Sequence, residues 1–152
     1  IDDNSLIEFR TSKFVNDPFT IARNDNMISI NSCIQVDITG QVCSDSMGPK
    51  IYSGFGGQVD FTRGAARSKG GKPILAFSST CKNDTISKIT PFLTAGAGVT
   101  TSRGDVHYLI TEYGIVDLFG KTLRQRAEML IGIAHPNFRD ELTQRAKELK
   151  FL

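Results

Sequence analysis

Apolar positions fall in short runs of period two through most of the chain and change to a period of three to four after Thr122. Met27-Ile28-Ser29-Ile30-Asn31 reads as strand. Ile34-Gln35-Val36-Asp37-Ile38-Thr39 alternates strictly, and Gly40-Gln41 turns the chain into Val42 and Cys43. The stretch 58–67 reads as a short helix stopped by Gly70-Gly71, and Pro73-Ile74-Leu75-Ala76-Phe77 follows as a buried strand. Ile86-Ser87-Lys88-Ile89 and Val106-His107-Tyr108-Leu109-Ile110-Thr111 supply further strands, with a flexible Gly96-Ala97-Gly98 loop between them. Leu123, Ala127, Leu130, Ile131 and Ala134 share one helical stripe that opens on a Thr122-x-x-Gln125 capping box and ends at His135-Pro136. Asn137 then reads as the cap of a last helix, in which Phe138, Leu142, Ala146 and Leu149 recur at helical spacing, with acids early and lysines late. Strands interleaved with helices predict an α/β layered domain, and no repeat, low-complexity tract or linker interrupts it.

With 152 residues the chain makes one ordinary domain or a piece of a larger protein. It opens on Ile1 rather than Met, so the expectation is a segment of a longer polypeptide or a processed one. Eighteen basic against sixteen acidic residues are too balanced for a nucleic-acid binder. No apolar run approaches a membrane span, and three acids precede the first base, unlike a signal or transit peptide. The expected setting is the cytoplasm or the mitochondrial matrix, without nucleic-acid or membrane partners. Cys33, Cys43 and Cys81, odd in number and widely spaced, argue against a disulfide framework and a thiolate metal site, and read as small buried apolar residues. The Asn83-Asp84-Thr85 sequon is set aside, because so short a pattern arises often by chance.

The densest chemical signal is Ser53-Gly54-Phe55-Gly56-Gly57-Gln58, three glycines in four positions immediately before a helical pattern. Gly54, Gly56 and Gly57 can turn the backbone sharply, and the first helical turn offers unpaired amides to a phosphate or a transient oxyanion. The spacing is not the dinucleotide fingerprint, whose third glycine would stand at Val59. Gly71-Lys72-Pro73 lacks the Ser or Thr of a phosphate-binding P-loop. Two histidines twenty-eight residues apart exclude most zinc sites, so no metal is expected. Asp105 and His107 could join Ser78 or Ser79 in a hydrolase-like triad, but no G-x-S-x-G turn is present, and a packed thiol is preferred to a lysine-activated nucleophile at Cys81. Glu112 and Lys82 each follow an apolar strand, where open α/β sheets place ligand-contacting side chains; a turn-capping carboxylate and a solvated lysine fit as well.

Read in order, these blocks resemble the C-terminal region of the acetyl-CoA hydrolase/transferase family, especially its 4-hydroxybutyrate and butyrate:acetate CoA-transferases. The resemblance runs through Glu8-Phe9-Arg10-Thr11-Ser12-Lys13, Asn16-Asp17-Pro18, Ser29-Ile30-Asn31-Ser32, Val36-Asp37-Ile38-Thr39-Gly40-Gln41-Val42, the glycine loop, Lys69-Gly70-Gly71-Lys72-Pro73, Gly96-Ala97-Gly98-Val99-Thr100-Thr101, Thr111-Glu112-Tyr113-Gly114 and Ala134-His135-Pro136. It implies a CoA-transferase-type fold, an open layered sheet flanked by helices, over residues 1–152. It also implies ping-pong transfer of CoA between a short-chain acyl-CoA and a carboxylic acid through a glutamyl-CoA thioester.

The nucleophilic glutamate is expected in an earlier, N-terminal domain outside this chain, leaving the isolated fragment inactive. Carried over by position, Gly56 and Gly57 match oxyanion-hole glycines, Asn16 an asparagine near the nucleophile, and Lys82 a lysine near CoA. Gly54 belongs to the same loop, and Asn31 and Glu112 to motifs lining the cleft. The implied partners are acyl-CoA, a short-chain carboxylate, the protein's own N-terminal domain and a second copy in a homodimer. Two alternatives stay open: an acyl-CoA hydrolase on the same scaffold, and a non-catalytic phosphate- or nucleotide-binding module.

Overall fold

A computed structural model describes residues 1–152. Five helices are present, α1 Ser12–Val15, α2 Pro18–Ala22, α3 Gln58–Arg67, α4 Leu123–Gly132 and α5 Pro136–Glu148. The strands are β1 Ile28–Asn31, β2 Gln35–Asp37, β3 Val42–Cys43, β4 Ser46–Met47, β5 Lys50–Ile51 and β6 Lys72–Ala76. They continue with β7 Thr80–Cys81, β8 Ile86–Ser87, β9 Ile89–Thr90, β10 Tyr108–Thr111 and β11 Gly114–Asp117.

The main sheet has the order β1-β6-β10-β11, with β1, β6 and β10 parallel and β11 antiparallel to β10. A second sheet, β3-β2-β9, faces it across the core. Leu75, Leu109 and Val116 of the main sheet meet Val36, Val42 and Ile89 of the second, and Ala127, Leu130, Leu142 and Ala146 close the space from α4 and α5. Alternation along β1 buries Ser29 but leaves Ile28 and Ile30 exposed at the outer edge of the sheet. No helix is long and apolar enough to cross a membrane.

Helix α3 is the crossover between β1 and β6, and it starts and stops where the pattern 58–67 predicts. Asp60 in its first turn and Arg67 in its last suit the helix dipole. Gly64 lets α2 close on it, since a Cβ there would lie 2.5 Å from the Ile21 side chain. The capping box at α4 is complete: Thr122 Oγ1 accepts from the Gln125 N–H, and the Gln125 side chain accepts from the Thr122 N–H.

Several expectations change. Helix α4 ends at Gly132, so Ala134 is buried just beyond it rather than on its stripe. The cap of α5 is His135, not Asn137: Pro136 takes the first helical position, where it loses no bond, and His135 Nδ1 accepts from the Asn137 N–H. The run 86–89 is two strands in different sheets, broken at Lys88. Cys33 and Cys43 are buried as expected, and burial pushes the Cys33 thiol up to about 12. Cys81, on an exposed hairpin, is not buried.

Candidate functional site

Ten residues of α3 span about 15 Å and five of β6 about 17 Å. Joined by the short connection Ser68 to Gly71, the helix therefore runs back along the strand and returns its N-terminal loop to the edge where the parallel strands end. Asn31 is the last residue of β1 and Glu112 follows the last of β10. The β7–β8 hairpin carrying Lys82 follows β6 at the same edge. Open α/β sheets bind ligands at this edge.

The glycine loop keeps its amides free. No backbone or side-chain acceptor of the chain takes the N–H of Gly54, Phe55, Gly56 or Gly57, and the first internal bond of α3 runs from the Phe61 N–H to the Gly57 carbonyl. Gly56 sits at φ +56°, in the left-handed region that glycine enters without steric cost, and a Cβ there would meet open space. Gly57 differs: its φ of −95° suits any residue, but a Cβ would lie 2.6 Å from Asn16 Nδ2. Asn16 ends α1, so the fold presses the amide of that side chain against the loop, although the two residues are far apart in sequence.

Behind the loop, Gln58 is buried and its Nε2 donates to Thr101 Oγ1 at 3.0 Å. This ties the first turn of α3 to the 96–101 glycine segment, itself held by Thr100 Oγ1 donating to Asp45 Oδ1 and by the Gly98 N–H donating to Ser46 Oγ. The Asp45 carbonyl in turn accepts from the N–H groups of Tyr52 and Ser53, which fixes the loop's entry. Asn31 Nδ2 donates to Ser29 Oγ.

Both oxygens of Glu112 accept from one residue, Ser79, whose N–H lies at 2.9 and 3.1 Å and whose hydroxyl lies at 2.5 Å. Partial desolvation pushes the Glu112 carboxyl up, but the Ser79 hydroxyl and amide outweigh it, helped by nearby His135, and hold the group below its ordinary value. Sequence reasoning weighed Ser79 only as a triad hydroxyl and missed this role, as it missed Gln58 and His135; two residues thirty-three apart carry no local signal of pairing.

The hydrolase-like triad is not assembled. Ser78 and Ser79 follow the end of β6, whereas Asp105 and His107 precede the start of the parallel β10, at the opposite edge of the sheet. There Asp105 accepts two bonds from the Arg63 guanidinium at 3.0 Å, which hold its carboxyl below the usual range. His107 stacks on Phe119 with ring centres 4.1 Å apart, and burial lowers its pKa.

The sequence matches the family profile described as acetyl-CoA hydrolase/transferase C-terminal domain over residues 1–146. Among curated relatives it is 55% identical over 148 residues to the 4-hydroxybutyrate coenzyme A transferase of Clostridium kluyveri, covering 97% of this chain and 34% of that protein. It is 32% identical over 142 residues to the acetyl-CoA hydrolase of Yarrowia lipolytica, covering 92% of this chain and 26% of that one. The crystal structure of 4-hydroxybutyrate CoA-transferase from Porphyromonas gingivalis superposes with a TM-score of 0.79 at 45% identity, over 96% of this chain and 33% of that chain. The CoA-transferase-type α/β fold expected from the motifs is thus the fold observed. The chain spans about a quarter to a third of the length of the curated relatives it matches.

Proposed function

Because the chain belongs to the acetyl-CoA hydrolase/transferase family, we propose that it forms the oxyanion loop and CoA contacts of a CoA-transferase working on short-chain acyl-CoA and carboxylates, the acetate, butyrate or 4-hydroxybutyrate type. A glutamate carboxylate from an upstream domain attacks the thioester carbonyl, the C–S bond breaks, and CoA thiolate leaves an acyl-glutamyl anhydride. The thiolate then attacks the glutamyl carbonyl, releasing the acid and forming a glutamyl-CoA thioester. A second carboxylate reverses both steps and leaves as the new acyl-CoA. Each addition places negative charge on a carbonyl oxygen.

The observation that carries this reading is the set of unpaired amides at Gly56 and Gly57, with Asn16 Nδ2 packed against the loop. Fixed donors of this kind stabilise a developing oxyanion without reorganising when the charge appears. Glu112 and Asn31 stand at the same edge, and Lys82 supplies a cation for CoA. In the same reading the working unit is a homodimer in the cytoplasm or the mitochondrial matrix.

Transfer is favoured over hydrolysis because the relative named for transfer is 55% identical and the one named for hydrolysis 32%. The test is the mass of the full-length polypeptide after incubation with an acyl-CoA. A CoA adduct on a glutamate upstream of Ile1, discharged by added carboxylate into a new acyl-CoA, is expected. An adduct lost to water equally fast without the acid assigns the hydrolase, and no adduct at all overturns the reading.

A further inference from the structure

The turn of the β7–β8 hairpin holds Lys82, Asn83 and Asp84 all at positive φ, 51°, 53° and 61°. L-residues seldom enter this region, and three in succession persist only where the surroundings over-determine the backbone. The surroundings do so here. Thr80 Oγ1 donates to Asp84 Oδ1 at 2.5 Å, Thr85 Oγ1 donates to the Lys82 carbonyl at 2.8 Å, and the Lys88 N–H donates to the Ser79 carbonyl at 2.8 Å.

Lys82 therefore projects from a fixed turn and has no acidic partner. A groove of about 300 Å³ runs beneath it, with Met47 and Ile86 among its apolar lining and a second lysine without an ion pair, Lys88. Its wall at Ser46 adjoins Asp45, whose carbonyl anchors the entry of the glycine loop, so groove and loop are neighbours.

The whole hairpin springs from Ser79, which is fully buried and which spends both its hydroxyl and its amide on Glu112. Glu112 belongs to the next strand's turn, so one carboxylate couples the segments that leave β6 and β10. Hydrogen bonds to an ionised acceptor are stronger than neutral ones, and a carboxylate bound from both oxygens has little freedom to rotate.

We propose that Ser79 and Glu112 form a positioning clamp that sets the β7–β8 hairpin over the groove, so that Lys82 and Lys88 meet the phosphate groups of an acyl-CoA. The clamp touches no reacting atom; it acts through Lys82. The inference rests on the CoA reading above and goes beyond it by giving Glu112 a positioning role and Ser79 any role at all.

The test uses the full-length polypeptide with Ser79→Ala, Lys82→Ala and the double variant, measured on acyl-CoA and on the acyl-pantetheine that lacks the nucleotide phosphates. Ser79→Ala and Lys82→Ala should each raise KM for acyl-CoA by at least about tenfold, the lower end of what one lost hydrogen bond to a charged group costs. The KM for acyl-pantetheine should move by less than about threefold, and the double variant should be no worse than the poorer single one. A residue that merely holds the fold together would impair both thioesters alike and add to Lys82→Ala.

Glu112→Gln keeps the shape and loses the charge. It gives the same pattern if Ser79→Ala fails to fold. If Lys82→Ala leaves KM for acyl-CoA unchanged, the CoA reading of this edge fails and the inference with it. If Lys82→Ala raises KM while Ser79→Ala and Glu112→Gln do not, the clamp alone is overturned.

Discussion

Replacing Gly57 with Ala separates chemistry from folding at the proposed oxyanion loop. The backbone there, at φ −95° and ψ 8°, is open to any L-residue, so the substitution strains nothing in the main chain. What it disturbs is Asn16: the added Cβ would stand 2.6 Å from Nδ2 and 3.3 Å from Phe61 Cδ2, where ordinary contact begins at 3.4 Å. To restore contact the Asn16 amide must retreat by close to 1 Å, a misplacement that costs roughly 100-fold in rate when it affects a group aligned with the reacting atoms.

Losing one oxyanion donor outright costs a similar amount, about 2.7–4 kcal/mol of transition-state stabilisation. Stability should fall by no more than about 1 kcal/mol, because Ala caps a helix less well than Gly and the clash falls on the mobile end of the Asn16 side chain. The assay is steady-state turnover of the full-length polypeptide on an acyl-CoA, beside its urea unfolding midpoint. Gly56→Ala is the contrasting variant, since its Cβ has open space but its φ of +56° costs about 1–2 kcal/mol, so folding suffers there. Turnover of Gly57→Ala within twofold of the parent would refute the assignment of Asn16 and the loop to one donor set.

Gly64→Ala should destabilise by about 1–3 kcal/mol in urea unfolding, because its Cβ would meet Ile21 at 2.5 Å between α2 and α3. Thr122→Ala removes the capping box of α4 and should cost about 1 kcal/mol in the same measurement. Asp105 is held ionised by the Arg63 hydrogen bonds, so its folded pKa lies below the unfolded one. The stabilisation it gives is therefore present above the unfolded value of 3.8 and is lost as pH falls through the folded value. Asp105→Asn should accordingly be less stable than the parent at pH 7, with the gap closing toward pH 2; a gap that widens in acid contradicts the ion pair.

What the sequence disclosed follows the range of the forces involved. Helix α3 and the α4 capping box were legible because propensity, capping and dipole are written within a few residues. Strands β4, β5 and β7 are two residues long and carry no periodicity to read, and β11 opens on a glycine that looks like a turn. Helices α1 and α2, of four and five residues, are likewise too short for a stripe, even though Asp17 caps α2 through the Thr20 N–H. Asn137 is not the cap of α5 because Pro136 already starts the helix and an imidazole ring nitrogen, His135 Nδ1, accepts the bond that the Asn137 N–H donates.

At the site, the glycine loop announced itself, whereas the approach of Asn16 to Gly57 and the bond from Ser79 to Glu112 are tertiary facts. Only the family resemblance points to Asn16. Nothing local suggested Ser79 as a donor to Glu112.

One consequence concerns the outermost strand of the main sheet. Its free side is a row of backbone donors and acceptors, Ile28 and Ile30 stand on one face of the strand at 54% and 68% exposure, and no charged residue within the strand repels a neighbour. Preparations of these 152 residues alone will thus stick to one another edge to edge as they are concentrated, and a lysine at position 30 is the simplest way to keep them apart.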